Sequence, residues 1–236
     1  MAVSNPEDAH HPAGALRVPR AQDRLHRGGA RFRYLGHGSC ALRCIPLFVA
    51  LAIAVGGDQA AGASRSETSR VASMVLPLEE MPPGFVQTVS RSWTPRELSR
   101  QGTWTLKQLR QWGYIVGYEA EFTHDLTGPS PMQISSDAGA YRTAAGARRS
   151  LRANAAASRR GLWRPLELTT KIGDEALLST LVTTLRGGIA RVFFLVWRHG
   201  RYKGSITLSG AEGQVVVSTA VSLAKTQELR MRRALE

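Results

Sequence analysis

Ile189 to Trp197 (IARVFFLVW) is the stretch that most constrains the fold. It is apolar and rich in β-branched and aromatic residues, and Arg191 is its one charge. Such a run reads as a strand covered on both faces. Arg198-His199-Gly200-Arg201 is turn-like, and Tyr202 to Leu208 alternates well enough to be the partner strand. A hairpin at the centre of a sheet is therefore predicted, with a Gly173-Asp174-Glu175 corner ahead of it. With both faces covered, a charge at Phe194 is expected to unfold the domain.

The surrounding elements follow from capping and period. Met81 to Phe85 carries two prolines and reads as an extended lead-in. Thr94-Pro95-Arg96-Glu97 has the cap, the N1 proline and the acid three residues on that together start a helix. Gly102 interrupts it, and a second short helix over 103–112 ends at Gly113, a left-handed cap. Tyr114 to Thr123 alternates, with Tyr114, Val116, Tyr118, Ala120 and Phe122 on one face. The other face holds Ile115, Gly117, Glu119 and Glu121. A weaker strand over 132–143 precedes an Ala- and Arg-rich helix over 144–160, whose thin apolar side is Ala144, Ala147, Leu151 and Ala155. Pro165 marks an edge or a strand start, 176–185 reads as a strand, and 212–233 as a closing helix. That helix turns Val216, Ala220, Leu223 and Gln227 inward and ends on Arg230, Arg232 and Arg233. The sum is an α+β fold, an antiparallel sheet of about five strands packed with helices, as a single domain over 81–236.

The N-terminal third has another character. Residues 1–43 hold seven Arg and three acids without apolar period, and read as a disordered basic leader. Ile45 to Val55 is continuously apolar, too short for a membrane-spanning helix of about 20 residues and suited to a signal-peptide core. With Arg43 in front and Ala61-Gly62-Ala63 behind, residues 44–63 are expected to be a cleaved export signal, an uncleaved anchor being the alternative. The leader is long for a signal, so translation starting downstream, at Val18 or Leu35, is a further expectation. Residues 64–80 read as a tether. The expected compartment is extracytoplasmic, secreted or periplasmic.

The net charge is +13, and only Lys107, Lys171, Lys203 and Lys225 among the 31 basic residues are lysines. After Ala63, 24 basic and 14 acidic residues remain, a net of +10, so the excess belongs to the domain. Such a surface favours anionic partners. Arg142, Arg148, Arg149, Arg152, Arg159 and Arg160 are the candidate ligand-binding residues, placed to meet an anionic envelope polymer or lipid headgroups. A protein partner is also compatible with this surface. Nucleic acid is disfavoured by export and by the lack of aromatic residues among these arginines.

Catalytic signatures are sparse. Cys40 and Cys44 are the only cysteines, so the region after them has no thiol nucleophile and no Cys-ligated zinc. After the apolar run only His124 and His199 remain. Glu119 and Glu121 share a strand face and have the chemistry of an acid–base pair for glycoside hydrolysis, but read more simply as a solvated face. Asp174-Glu175 reads as a corner cap rather than a calcium site. There is no phosphate-binding glycine loop. No catalytic residue, metal or cofactor is expected.

Several short motifs occur in a set order: Gly113 and Gly117-Tyr118-Glu119-Ala120, then Tyr141 to Ala147, then Ile172-Gly173-Asp174-Glu175-Ala176, then Trp197-Arg198-His199-Gly200. Over about residues 76–233 this pattern resembles a broad group of bacterial secreted or membrane-tethered domains, similar at fold level to PsbP/Mog1-like and related extracytoplasmic sensor domains. His199 and Arg201 flank Gly200 where an Arg-Gly-Asn turn is the expected form. The resemblance implies a binding or accessory module without shared catalytic residues. The leading functional expectation is an exported, non-enzymatic binding domain at the cell envelope. A hydrolase acting on an envelope substrate and a cytoplasmic nucleic-acid-binding protein are the alternatives.

Overall fold

In the computed structural model, residues 58–124, 132–185 and 188–236 are described. Seven antiparallel strands form one sheet: β1 (Phe85–Trp93), β2 (Tyr114–His124), β3 (Met132–Tyr141), β4 (Arg164–Leu166), β5 (Glu175–Leu185), β6 (Gly188–His199) and β7 (Tyr202–Ala211). Their order across the sheet is β1-β2-β3-β7-β6-β5-β4. The β6–β7 hairpin lies at the middle, turning between His199 and Tyr202 on Gly200 with φ 55°. Asp174 closes that turn as a cap: its Oδ2 accepts from Gly200 N at 2.9 Å and from Arg198 Nη1 at 2.7 Å.

The sheet has seven strands instead of five, and both additions are edges. β1 carries little apolar pattern because it pairs only with β2 and leaves most of its residues exposed. β4 is three residues around Pro165, whose missing N–H is tolerated at an edge.

Helices cover the two faces differently. On one face lie α1 (Asp58–Met74) and α5 (Val217–Arg233). Beneath them Val116, Ala120, Phe122, Ile134, Leu195, Trp197, Ile206 and Leu208 join Val71, Met74, Ala220, Leu223 and Met231 in a continuous core. Several buried polar groups here are paired. Ser136 Oγ donates to Gln227 Oε1 at 2.9 Å and accepts from Leu76 N at 2.9 Å. Trp197 Nε1 donates to Glu228 Oε2 at 2.9 Å, and His199 Nδ1 meets Glu228 Oε1 at 2.8 Å.

Residues 64–80, expected as a tether, belong to the fold. Val71, Met74 and Leu76 are fully buried, and Glu67 accepts from Arg201 Nη2 at 2.8 Å. Their 71, 74, 75 spacing is that of a helix face. The expected cleavage residues 61–63 are helical within α1, so processing after Ala63 would still leave every one of these contacts. The leader over 1–43 and the apolar run up to Val55 lie outside the described residues. None of the described helices is long and apolar enough to cross a membrane.

The other face is covered by α2 (Pro95–Arg100), α3 (Leu106–Trp112) and α4 (Ala144–Arg160). Thr94 and Thr105 each close a capping box, with Glu97 and Gln108, and Gly113 ends α3 at φ 68° as predicted. α4 has its predicted bounds, though Ala144 is exposed and its buried side is Gly146, Ala147, Ser150 and Leu151. α5 begins at Val217 instead of Glu212. Glu212 is taken into an ion pair with Arg191, and Val216 supplies no side-chain cap.

Candidate ligand cavity

Strand alternation sends every second residue of the central strands away from α1 and α5. On β2 these are Gly117, Glu119, Glu121 and Thr123; on β3, Gln133, Ser135, Asp137 and Gly139; on β7, Lys203, Ser205, Thr207 and Ser209. The pattern is that of a solvated face, but this side of the sheet is roofed. Between the strands and α2–α4 lies a cavity of about 630 Å³. Leu98, Trp104 and Leu109 wall it on one side, Trp163, Leu181 and Phe194 on the other, and Ser150, Asn154 and Ser158 face it from α4.

Aromatic residues set its shape. Trp104 packs edge-on to Trp112 at 5.0 Å, and Trp163 tilts against Phe194 at 5.9 Å. Tyr114 packs edge-on to Tyr141 at 5.5 Å, and both rings line the cavity. Tyr114 was expected on the same face as Val116. A register irregularity between Tyr114 and Val116 turns it to the cavity side, over Gly117. Its hydroxyl donates to Trp93 O at 3.3 Å, and burial pushes the phenol well above its usual value.

Two carboxyl groups, Glu121 and Asp137, line the floor and a third, Glu119, is buried beneath it, which corrects the solvated-face reading of Glu119 and Glu121. Glu119 is fully buried; its Oε2 accepts from Arg91 Nε and from Trp93 Nε1, each at 3.0 Å. Arg91 also stacks over the Trp93 ring at 4.0 Å. Asp137 stands directly across from Glu119 in the β2–β3 register, and its Oδ2 accepts from Ser135 Oγ at 3.1 Å and Ser205 Oγ at 3.3 Å. Asp137 lies deep in the protein yet keeps some accessible surface, because it lines the cavity. Burial first, then the Glu119 charge, raises its carboxyl to about 8; Ser135 and Lys203 oppose the rise. Glu121 is raised to about 7 by burial, then by the charge and hydrogen bond of Glu119, with Arg91 opposing. Lys203 Nζ donates to Ser150 Oγ at 3.2 Å and so ties the floor to α4.

The six arginines predicted as ligand-binding are all exposed, away from the floor. Arg148, Arg152 and Arg159 fall within about 40° of one another around α4, with Arg149 and Arg160 on the neighbouring stripe. Arg148 Nε pairs with Glu175 Oε2 at 3.3 Å, and Arg149 Nη2 donates to Gln111 O at 3.1 Å. His199 is engaged by Glu228 on the opposite face, and His124 ends β2 against the Phe85 ring at 5.3 Å. Among the described residues no group of His, Cys, Asp and Glu is arranged to hold a metal ion. Sequence reasoning missed Asp137, Lys203 and the tryptophan walls. The available signal was the run of acids and hydroxyls at alternate positions on three strands.

No protein-family model matches the chain, and no curated protein matches it either. One solved structure is similar in fold: the extracellular domain of PknH from Mycobacterium tuberculosis, with a TM-score of 0.53 over 70% of this chain and 96% of that one, at 9% identity. At that identity the likeness concerns the fold alone. It agrees with an α+β fold and lends no specific support to the PsbP/Mog1-like resemblance.

Proposed function

We propose that this chain is an extracytoplasmic, non-enzymatic binding domain that holds a small, largely apolar ligand between its sheet and α2–α4. The observation that carries the reading is the cavity of about 630 Å³, with aromatic walls and a few buried polar groups on its floor. Volume and lining are those of small-molecule sites, which combine a mostly apolar surface with a small number of orienting polar groups. Exposure outside the cytoplasm is supported by the apolar run at Ile45–Val55 behind Arg43, and by the fold shared with an extracellular domain. The exposed arginines of α4 and Arg142 add a second contact, to an anionic envelope polymer or lipid headgroups.

A hydrolase is the weaker reading. Acid–base hydrolysis at the Glu119–Glu121 pair needs both carboxyls at the substrate. Glu119 is instead buried and bound by Arg91 and Trp93.

The reading is tested with N-phenyl-1-naphthylamine, an apolar fluorophore, titrated into the full chain. Saturable binding is expected, and Ala157→Trp, which fills the cavity from α4, should remove it while the melting transition persists. Binding indifferent to Ala157→Trp would place the fluorophore elsewhere and overturn the reading. For the compartment, residues 1–75 fused to a reporter active only outside the cytoplasm should give signal, and silence would refute export.

A further inference from the structure

Charge at and beneath the cavity floor is unbalanced. β2 contributes Glu121 on the floor and Glu119 buried under it, and β3 contributes Asp137 on the floor. The cations acting on them are Arg91 from β1 and Lys203 from β7. The remaining polar groups lining the cavity from the helices are neutral: Thr103 before α3, and Ser150, Asn154 and Ser158 on α4. The Tyr114 and Tyr141 hydroxyls are neutral as well, and Glu97 acts on Tyr114 from α2. Among the described residues, then, three carboxyls meet two cations. Near neutral pH a proton on Glu121 or Asp137 offsets the excess, because burial and the neighbouring carboxyls raise both groups.

Resting on the reading of this cavity as a binding site, we propose that its ligand is an organic monocation. An ammonium head would sit against Glu121 and Asp137, with an apolar body along Trp104, Trp163 and Phe194. Glu121 lies diagonal to Asp137 across the β2–β3 pair, which sets the two residues about 7–8 Å apart, a span one ammonium group bridges between the two carboxyls. The walls suit the same ligand, since aromatic faces attract cations and offer an apolar bed to what the cation carries. An anion would face the carboxyls. A neutral ligand would fill the volume and leave the charge imbalance as it was.

Binding has a proton balance. In the unliganded cavity near neutral pH, burial and the mutual repulsion of the carboxyls keep a proton on Glu121 or Asp137. The arriving ammonium brings its own charge and the proton leaves to solvent, so the floor's net charge is unchanged. Affinity for the cation therefore rises with pH until the carboxyls are ionised before binding.

The test compares three probes with one body, octylammonium, octanol and octanoate, titrated calorimetrically into the full chain at pH 6 and pH 8. Octylammonium should bind about tenfold more tightly than octanol at pH 8, with octanoate weakest. Its affinity should fall several-fold at pH 6, where buffers of different ionisation enthalpy should report proton release on binding. Octanol should show neither effect. Glu121→Gln and Asp137→Asn should each bring octylammonium to within about twofold of octanol while octanol binding stays, which also certifies that the variant is folded. Octanol or octanoate binding as tightly as octylammonium would overturn the cation and leave the cavity reading intact. Cation preference without proton release would overturn the exchange. Failure of all three probes would overturn both.

Discussion

The two faces of the sheet are built from the same strands and have opposite properties. On the α1–α5 face the alternate residues are Phe122, Ile134, Leu195, Ile206 and Leu208, and the buried Ser136 and Trp197 bond to Gln227 and Glu228 of α5. One residue along, the alternates are Glu121, Ser135, Phe194, Ser205 and Thr207, and α2–α4 stand off from them far enough to leave a cavity. A sheet can thus separate stability from binding by parity alone. The α1–α5 face is close-packed and intolerant, and the roofed face carries polarity and space.

The largest expected effect breaks that contrast at neighbouring positions of β6. Leu195 is fully buried against α5, and Leu195→Asp would put a charge there with no partner. Its cost should exceed about 4 kcal/mol, a large share of the roughly 5–15 kcal/mol that keeps a typical domain folded. Phe194 was expected to behave in the same way, but its ring is only half-buried and lines the cavity beside Trp163. Phe194→Asp should therefore remain folded while losing apolar ligand binding. Circular dichroism with urea unfolding checks the pair, and equal collapse of both variants would dissolve the distinction between the faces.

A smaller pair of changes probes packing density. An alanine at Gly204 would place its Cβ 2.6 Å from Trp197 Cζ2 and 2.8 Å from Met231 Sδ. Trp197 cannot yield easily, because its ring is fully buried and its Nε1 is held by Glu228. Overpacking of about 1–3 kcal/mol is expected. At Gly139 the same Cβ would meet Tyr114 Cε2 at 3.3 Å, and that ring borders open space. Gly139→Ala should cost no more than about 0.5 kcal/mol. Urea midpoints at constant m-value are the measurement; similar losses at both sites would mean that the cavity face is as tightly packed as the other.

What could be read from the sequence was local. Thr94 with Glu97, Gly113, the bounds of α4 and the β6–β7 hairpin each depend on a few contiguous residues, and the structure has them. The roofed face was not legible, because Glu119, Glu121, Ser205 and Thr207 make the same period-two pattern whether water or a helix lies opposite. Only tertiary packing brings Trp104 and Trp163 over that face, from segments on either side of β2, β3 and α4 in the chain. The α1 contribution was hidden differently. Val71, Met74 and Val75 have helical spacing, but the polar residues around them outweigh it in composition. β1 escaped because an exposed edge strand needs no apolar alternation.

A further expected effect concerns pH and sharpens the account of the floor. Asp137 titrates near 4 in an unfolded chain and is raised to about 8 in the fold, so the folded state binds more protons between those values. A raised carboxyl is neutral in both states below about pH 4 and costs nothing there. Its penalty grows as pH rises through the window and levels off above about pH 8. Glu121, raised to about 7, adds to the loss in the same direction. Asp137→Asn removes the titration and keeps a carbonyl acceptor for Ser135 and Ser205. The variant should therefore gain stability relative to the native chain progressively between about pH 5 and pH 8.5, with little difference at the acid end. Thermal melts of both proteins across that range decide it. A constant offset between them would mean that Asp137 is solvated enough to ionise normally, and the cavity floor would then hold no displaceable proton. On the opposite face Gln227 is neutral and accepts from Ser136, so Gln227→Ala should lower stability without changing its pH dependence.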